Sequence, residues 1–284
     1  PQVRTYLPFN FHTDQVPEGS LKILSYNVMG FDGCIKEDGK NPILTYLQES
    51  GADILCLQEY ATSESSRHLS QRDIERGLKI YPYHRIDKLG SAQSNRMAIY
   101  SKFPILSARK LDYKSSYNGS VAYELKIGQD TLTLINNHLE SNKLTKEDKV
   151  VYESMLASPE RDKVKSGARL LLGKLAEASA IRAPQADAIA RAVRESCHPY
   201  IIVCGDFNDT PISYTHRVAC QELDDAFTQS GRGFGISYNQ NKFYFRIDHI
   251  LVSPNMKTYN CTVDKSIKDS DHYPIWCYVN LQRK

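Results

Sequence analysis

The chain has 284 residues, of which 41% are hydrophobic and 24% are charged, and this composition excludes disordered and fibrous proteins. The formal net charge of +3 at pH 7 is too small to indicate a dedicated nucleic-acid-binding protein, so affinity for an anionic substrate has to be local. The seven cysteines lack the CxxC pairs of a zinc site or redox motif and do not indicate a disulfide framework.

Residues 1–20 form a lead-in that contains proline and has no regular hydrophobic period. The sequence shows no signal peptide and no stretch of about 18 apolar residues that could span a membrane. Because the chain begins at Pro1 rather than Met, we expect that an upstream segment, such as a membrane anchor, has been removed. Residues 21–284 are then expected to form a single domain.

The first part of that domain has the pattern of a βαβ unit. Two apolar strand-like runs, residues 21–28 and residues 52–59, flank a predicted helix at residues 41–50. Helical spacing follows around residues 65–78, and residues 81–137 contain several further strands. These runs are separated by turn signals, as antiparallel neighbours require: YPYHRI, RMAIYS, ILSARKL, SVAYELKI and TLTLINN.

The second part changes from helical to strand character. Residues 145–196 are rich in Ala, Leu, Glu and Lys, which predicts two or three helices broken near Ser158-Pro159 and Ala183-Pro184. Strand character returns in YIIVC, FYFRIDHILV, TYNCTVDKS and PIWCYVNL. Apolar strands with helices before, between and beside them predict an α/β protein whose sheets pack face to face under an outer cover of helices.

Polar side chains concentrate where the predicted strands end. Such positions gather ligand-binding groups in α/β proteins, because the sheet fixes them while the loops stay accessible. We therefore expect five clusters to converge: Asn27, Glu59, His138, Asp206 with Asn208, and Asp271 with His272.

The oxygen donors among these residues indicate a hard metal ion. Glu59, Asp206 and Asp271 are carboxylates, and Asn27 and Asn208 add amide oxygens. This set suits Mg²⁺ or Mn²⁺ rather than zinc. Because Mg²⁺ usually takes only one or two protein carboxylates, the remaining acids are available for other work.

His272 is a candidate general base or acid, since histidine titrates near neutral pH. Asp248 lies in a predicted strand, where an acid is out of place unless it is paired, so we expect it to orient the His272 imidazole. Each of these residues alone also has a plain structural explanation, as a turn residue, a helix cap or a structural histidine. Their joint occurrence favours the chemical interpretation.

Six motifs in this order, SYNVMG, LQE, NNHLES, GDFND, RIDHILV and SDHYPI, closely resemble the endonuclease/exonuclease/phosphatase superfamily, also called DNase I-like. The resemblance covers about residues 21 to 281 and makes residues 21–284 the catalytic domain. It implies a four-layer α/β sandwich, with two mixed β-sheets face to face, helices outside, and one active site at the sheet edge. It also implies Mg²⁺-dependent hydrolysis of phosphate esters by in-line attack of water, without a covalent intermediate.

The resemblance assigns the metal to one group of residues. Glu59 would be the direct ligand, Asn27 a supporting ligand through its amide or a bound water, and Asp271 would assist at the metal. Nucleases of the family often carry an acid where this chain has Met29, which leaves open whether Asp32 takes its place.

The resemblance assigns catalysis to a second group. Asp206 would orient or deprotonate the attacking water, and Asn208 would hold that water or a phosphate oxygen. His138 would contact the phosphate and stabilise developing charge. Asp248 and His272 match the Asp-His pair of the family.

The segment NNHLES resembles that of tyrosyl-DNA phosphodiesterases, in which the serine, here Ser141, helps to hold a terminal phosphate. DNA or RNA is therefore the leading substrate. One alternative is hydrolysis of a phospholipid headgroup or an inositol phosphate, as in bacterial members that follow N-terminal hydrophobic helices. Another is a phosphate-binding module without activity. No protein partner is implied, and membrane contact is expected only through an anchor upstream of Pro1.

Overall fold

The computed structural model of the protein describes residues 2–33, 40–64, 68–142, 146–157, 161–240 and 243–282. Helices and strands alternate irregularly along the chain. Their order is α1 (Gln2–Tyr6), β1 (Leu21–Asn27), a 3-10 helix (Met29–Gly33), α2 (Pro42–Glu49), β2 (Ile54–Gln58), α3 (Gln71–Gly77), β3 (Tyr83–Leu89), β4 (Asn95–Ser101), β5 (Ile105–Lys110), β6 (Gly119–Ile127), β7 (Asp130–His138), α4 (Lys146–Ala157), α5 (Arg161–Glu195), β8 (Tyr200–Asp206), α6 (Tyr214–Ala219), β9 (Asp224–Asp225), α7 (Ala226–Ser230), β10 (Tyr238–Gln240), β11 (Phe243–Phe245), β12 (Asp248–Val252), β13 (Met256–Val263) and β14 (Ile275–Leu281).

The strands form two six-stranded sheets and one small hairpin. The first sheet has the order β13-β14-β1-β2-β4-β3, the second has the order β5-β6-β7-β8-β12-β9, and β10 pairs with β11. Each large sheet contains one parallel pair, β1 with β2 and β7 with β8, and the other pairs are antiparallel. Both sheets are therefore mixed, as predicted.

Three apolar layers separate the two sheets and their helices. Between the sheets lies a core that includes Ile23 of β1 and Cys204 of β8. A second core packs the outer side of the first sheet against α2 and α3, through residues such as Leu47 and Ile74. A third core packs the outer side of the second sheet against α5, through Ile189 and its neighbours. The predicted four-layer α/β sandwich is confirmed.

Local sequence signals explain where several elements begin. The Asn41 side chain accepts a hydrogen bond from Leu44 N, and Pro42 occupies the first turn of α2, where a missing N–H costs nothing. Ser70 and Asp73 form a reciprocal capping box, which fixes the start of α3 after Ser70. The helix predicted around residues 65–78 is thus shorter than expected, and residues 65–67 lie outside the described residues.

Two predicted boundaries are wrong. Helix α5 continues through Pro184, because buried Arg182 and Gln185 beside it anchor the helix and outweigh the cost of a proline in the helix interior, about 3 kcal/mol. The run FYFRIDHILV is two strands, β11 and β12, because Arg246 and Ile247 turn the chain between the small hairpin and the second sheet.

The lead-in packs against the domain. Helix α1 begins it, Phe9 forms an isolated bridge with Arg232, and the Asn10 amide donates to Gly231 O at 2.8 Å. None of the helices in the described part of the chain combines the length and apolar character needed to span a lipid bilayer.

Candidate active site

Strands of both large sheets end at one cavity of about 390 Å³. Asn27, Gln58, His138 and Asp206 are the last residues of β1, β2, β7 and β8, and Asp248 begins β12 directly opposite Asp206. The predicted residues that line this cavity are Glu59, His138, Ser141, Asp206, Asn208, Asp271 and His272.

His272 and Asp248 form a buried pair. His272 Nδ1 lies 2.8 Å from Asp248 Oδ2, so Nδ1 carries a proton and Nε2 faces Asp206 Oδ2 at 3.6 Å. Burial opposes the charged imidazole, but the negative charges of Asp248 and Asp206 outweigh it and raise the pKa of His272 well above its ordinary value. The surrounding carboxylates thus favour the imidazolium form of His272 at the cavity wall.

Asp206 is the carboxylate shared by both histidines. Its Oδ1 accepts from Asn208 N at 2.8 Å, and its Oδ2 lies 3.7 Å from His138 Nε2. Burial raises the pKa of Asp206, although the charge of His272 opposes the rise. A carboxylate with a raised pKa is a stronger base than an ordinary Asp, which suits proton transfer.

The orientation of His138 is set by a residue that the sequence did not single out. The amide oxygen of Asn95 accepts from Arg96 N at 2.8 Å, so its amide nitrogen donates to His138 Nδ1 at 3.1 Å. With Nδ1 as the acceptor, the Nε2 proton points toward Glu59 and Asp206. His138 is therefore arranged as a hydrogen-bond donor into the cavity.

Three carboxylates, those of Glu59, Asp206 and Asp271, gather beside the two histidines. The Asn27 amide nitrogen donates to Glu59 Oε1 at 3.0 Å and to Asp206 Oδ2 at 3.2 Å. Burial and the charges of Glu59 and Asp206 raise the pKa of Asp271, despite the opposing charge of His272. This crowding of hard oxygen donors fits a divalent cation such as Mg²⁺, which would relieve their repulsion.

Asn27 offers the cluster its nitrogen rather than its oxygen. Its side-chain oxygen accepts from Met29 N at 3.1 Å, so in this arrangement Asn27 positions the carboxylates. Its predicted role as a supporting ligand stays a prediction. The side chain of Asp32 lies outside the described residues.

The backbone is strained where it presents two of these side chains. Glu59 has φ +49° and Asn208 has φ +50°, a left-handed conformation that is uncommon for residues other than glycine and clusters at functional sites. Gly205, directly before Asp206, has φ +130°, and a Cβ there would lie 2.1 Å from Asn137 O. The GDFND motif therefore needs glycine at this position.

A buried arginine supports the motif from α5. Arg182 donates from Nε to Asp209 Oδ2 at 3.2 Å and from Nη1 to Glu140 O at 2.9 Å. Arg182 thus joins the loops after β7 and β8, and it lines the same cavity. Arg182 was not predicted from the sequence, because it lies in the middle of a long helical segment.

Aromatic side chains form the rim of the cavity. Tyr238, Phe243 and Phe245 line it from the small hairpin, and the Tyr238 ring lies edge-on to His272 with centroids 5.2 Å apart. Ser141 is exposed at the same cavity. The site therefore combines a charged floor with an aromatic rim.

Comparison with known proteins identifies similar sequences and folds. The sequence profile of the Endonuclease/Exonuclease/phosphatase family matches residues 24–272, whereas no curated protein matches the chain. The structure is similar to a humanized TDP2 of D. rerio, with TM-score 0.62, 16% identity and coverage of 93% of this chain and 100% of that one.

Two further solved structures have the same fold. Truncated TDP2 of Caenorhabditis elegans has TM-score 0.56, 19% identity and coverage of 92% of this chain and 97% of that one. An endonuclease/exonuclease/phosphatase from Bacteroides vulgatus has TM-score 0.61, 15% identity and coverage of 92% and 99%. The chain belongs to the endonuclease/exonuclease/phosphatase family and is a hydrolase that acts on phosphoester bonds.

Proposed function

We propose that the protein is a Mg²⁺-dependent phosphodiesterase whose leading substrate is nucleic acid. The observation that carries this proposal is that one cavity brings the His272–Asp248 pair together with Asp206 and the carboxylates of Glu59 and Asp271. An imidazolium, a general base and a cluster of hard oxygen donors are the groups that hydrolysis of a phosphate ester requires.

Glu59 and Asp271 are the residues that would hold the metal, with Asn27 fixing the position of Glu59. When bound, Mg²⁺, or Mn²⁺ in its place, would neutralise charge on the phosphate and on the leaving oxygen.

The side chains of the protein supply the proton transfer and the remaining charge stabilisation. Asp206, with its raised pKa, accepts a proton from the attacking water, and its own position is fixed by Asn208 N. His272 places a positive charge beside the equatorial phosphate oxygens, and Asp248 keeps it protonated. His138 donates from Nε2 to a phosphate oxygen, because Asn95 occupies its Nδ1.

Two observations support nucleic acid as the substrate. The half-buried rings of Tyr238 and Phe245 line the cavity and offer flat faces on which bases can stack, whereas Phe243 is buried against Tyr152. A structurally similar protein, TDP2 of D. rerio, is known in complex with single strand DNA product; it shares 18% identity with this chain. In this proposal Ser141 helps to hold a terminal phosphate, and Asn208 holds the attacking water or a phosphate oxygen.

One feature favours a phospholipid headgroup as the second candidate. Leu175 lines the cavity, and Leu172, one turn away on α5, is exposed. An apolar helix face beside a phosphate-binding cavity could contact acyl chains at a membrane surface.

Hydrolysis assays with a chosen panel of substrates test the proposal. The panel contains 5′-tyrosyl DNA, abasic-site DNA, plain single and double strands, inositol phosphates, sphingomyelin and bis-nitrophenyl phosphate. We expect turnover of a nucleic acid in Mg²⁺, its loss in EDTA, and its return when Mg²⁺ is added in excess. The exposed pair His84 and Glu75 provides a control, since His84→Ala should leave the rate unchanged.

The outcomes separate the candidates. Turnover of sphingomyelin or an inositol phosphate, without turnover of nucleic acid, would replace the leading substrate by the second candidate. Full activity in EDTA would contradict the metal dependence.

A further inference from the structure

A second cluster of metal-binding side chains lies behind the active site, on the other face of β12. His216 of α6, Asp225 at the start of α7 and His249 of β12 are all buried. One ligand atom of each lies within 4.8 Å of the others. None of these residues belongs to the catalytic cavity.

The separation of His216 and Asp225 suits two ligands of a tetrahedral ion. His216 Nε2 lies 3.2 Å from Asp225 Oδ2. Two ligands that each bind zinc at its usual distance and at the tetrahedral angle are about 3.4 Å apart. This pair is already at that separation, and the His249 nitrogen, within 4.8 Å of both ligand atoms, has to move closer to them for all three to bind one ion.

His249 is the residue that points to a ligand. Its Nε2 lies 2.9 Å from the Asp209 carbonyl oxygen, so Nε2 carries the proton and Nδ1 presents a lone pair. Nδ1 is buried and has no hydrogen-bond partner among the described residues, which without a ligand costs about 1–3 kcal/mol. A histidine that binds a metal through one nitrogen usually donates the other N–H to a carbonyl or carboxylate.

Asp225 and Cys220 complete the surroundings. Asp225 Oδ1 accepts from Phe227 N at 2.8 Å and Oδ2 accepts from the Thr228 hydroxyl at 3.0 Å, so the carboxylate is held in place. Cys220 directly follows α6, and its Sγ lies 3.6 Å from His216 Nδ1 and 3.7 Å from His216 Nε2. Its side chain has to turn toward the other ligand atoms to take a fourth position.

We propose that His216, Asp225 and His249 bind a transition-metal dication of the zinc class, with Cys220 as the fourth ligand. Imidazole, carboxylate and thiolate are the donors that zinc prefers, whereas the catalytic cavity offers the oxygen donors of magnesium. The ion joins α6, α7 and β12 and supports the Asp209 loop through His249. It is a structural site, separate from the catalytic metal.

Co²⁺ and Zn²⁺ binding to the full chain tests this site. The protein is stripped of metal, saturated with Mg²⁺ to fill the catalytic cavity, and titrated with Co²⁺ while the visible spectrum is recorded. We expect the intense bands of four-coordinate Co²⁺, displaced by Zn²⁺, and a thiolate charge-transfer band that Cys220→Ser removes. Bound zinc should also raise the Tm, because a formed site binds zinc more tightly than the unfolded chain does.

The variant His249→Phe keeps the ring volume and removes the ligand. It should weaken Zn²⁺ binding by more than the roughly 10–100-fold that follows loss of an outer-shell partner. The matched control is His198→Phe, because His198 also lies beside a cysteine and a carboxylate, Cys197 and Glu124, but is only half-buried. Its Zn²⁺ affinity should equal that of the wild type.

Equal affinity of His249→Phe and the wild type would overturn the proposal. Should His249→Phe fail to fold, as judged by circular dichroism, the wild-type spectrum decides by itself. Four-coordinate Co²⁺ bands in saturating Mg²⁺ would support the site, whereas weak six-coordinate bands, or no binding, would overturn it. A Co²⁺ spectrum without the thiolate band would remove Cys220 from the ligand set.

Discussion

The two faces of β12 carry histidine–aspartate clusters with opposite electrostatics. Asp248 and His249 are neighbours in sequence, and side chains alternate across a strand, so Asp248 meets His272 at the cavity while His249 meets His216 behind it. Burial opposes the charge on both imidazoles. The pKa of His272 is nevertheless raised well above its ordinary value, whereas the pKa of His249 lies well below it.

The difference lies in the charges that surround each ring. Asp248, Asp206 and Asp271 all favour the imidazolium form of His272. Beside His249, burial acts together with the neighbouring His216, and the single carboxylate of Asp225 does not compensate for them. The first cluster therefore presents a positive charge, as phosphate chemistry needs, and the second presents a neutral lone pair, as a metal ligand needs.

Asp209 connects the two clusters. Its carbonyl oxygen accepts from His249, and its carboxylate accepts from Arg182. It also follows Asn208, which fixes Asp206. Substitutions on either face of β12 can therefore be compared by their effects on the loop that contains Asn208 and Asp209.

The largest expected effect is on turnover in His272→Ala. Removing the imidazolium should lower kcat by at least roughly 10²–10⁴-fold, as is typical for acid–base and charge-stabilising groups. His249→Phe should cost far less, because its ring does not face the cavity. The measurement is kcat in saturating Mg²⁺ on the best substrate of the panel, and near-normal turnover of His272→Ala would contradict the assignment.

The next effect is on stability, at the residue that holds the Asp209 loop. Arg182→Met leaves the Asp209 carboxylate without its cation, and loss of one partner of a buried ion pair typically costs about 3–5 kcal/mol. The free energy of unfolding is measured by urea denaturation. The control is Arg191→Met, which lies on the exposed face of the same helix and should change the free energy of unfolding little. An equally small change in Arg182→Met would mean that the ion pair of Arg182 and Asp209 contributes no net stability.

Much of the catalytic cluster was predictable, because its residues follow apolar runs directly in sequence. Glu59, His138 and Asp206 each stand at a strand end, and strand ends of mixed sheets can meet at one edge. The pairing of Asp248 with His272 was predicted from an acid inside a strand, and the structure shows that hydrogen bond.

The rest depended on contacts between distant segments. Asn95 orients His138 across 43 residues of sequence, and Arg182 reaches Asp209 from the middle of α5. His216, Asp225 and His249 are not close together in sequence, so a search for short metal-binding motifs such as CxxC could not identify this cluster. Helix α5 passes through Pro184 for the same reason, since tertiary contacts on both sides override the local signal.

A smaller effect is expected in the pH dependence of Asp248→Asn. The variant keeps the shape of the pair but removes the negative charge that favours the imidazolium, so the pKa of His272 should fall. Because activity needs the protonated ring, the alkaline limb of the profile of kcat/KM against pH should move to lower pH. Glu75→Gln beside the exposed His84 is the control, and an unmoved limb in Asp248→Asn would show that Asp248 does not set the charge of His272.

The smallest effect concerns acid stability of the metal-free protein. The pKa of His249 is lowered in the folded state, so below about pH 6.5 the unfolded state binds a proton that the folded state does not bind. The free energy of unfolding therefore decreases as the pH falls below this value, by up to about 1.4 kcal/mol per pH unit. Urea denaturation in EDTA between pH 7 and pH 5 should therefore show a shallower decline for His249→Phe than for the wild type. His198→Phe is the control for loss of a histidine outside this cluster, since His198 lies beside Glu124. Equal slopes for His249→Phe and the wild type would mean that His249 becomes doubly protonated in the folded state as readily as in the unfolded state. The proposed electrostatic difference between the two faces of β12 would then be wrong.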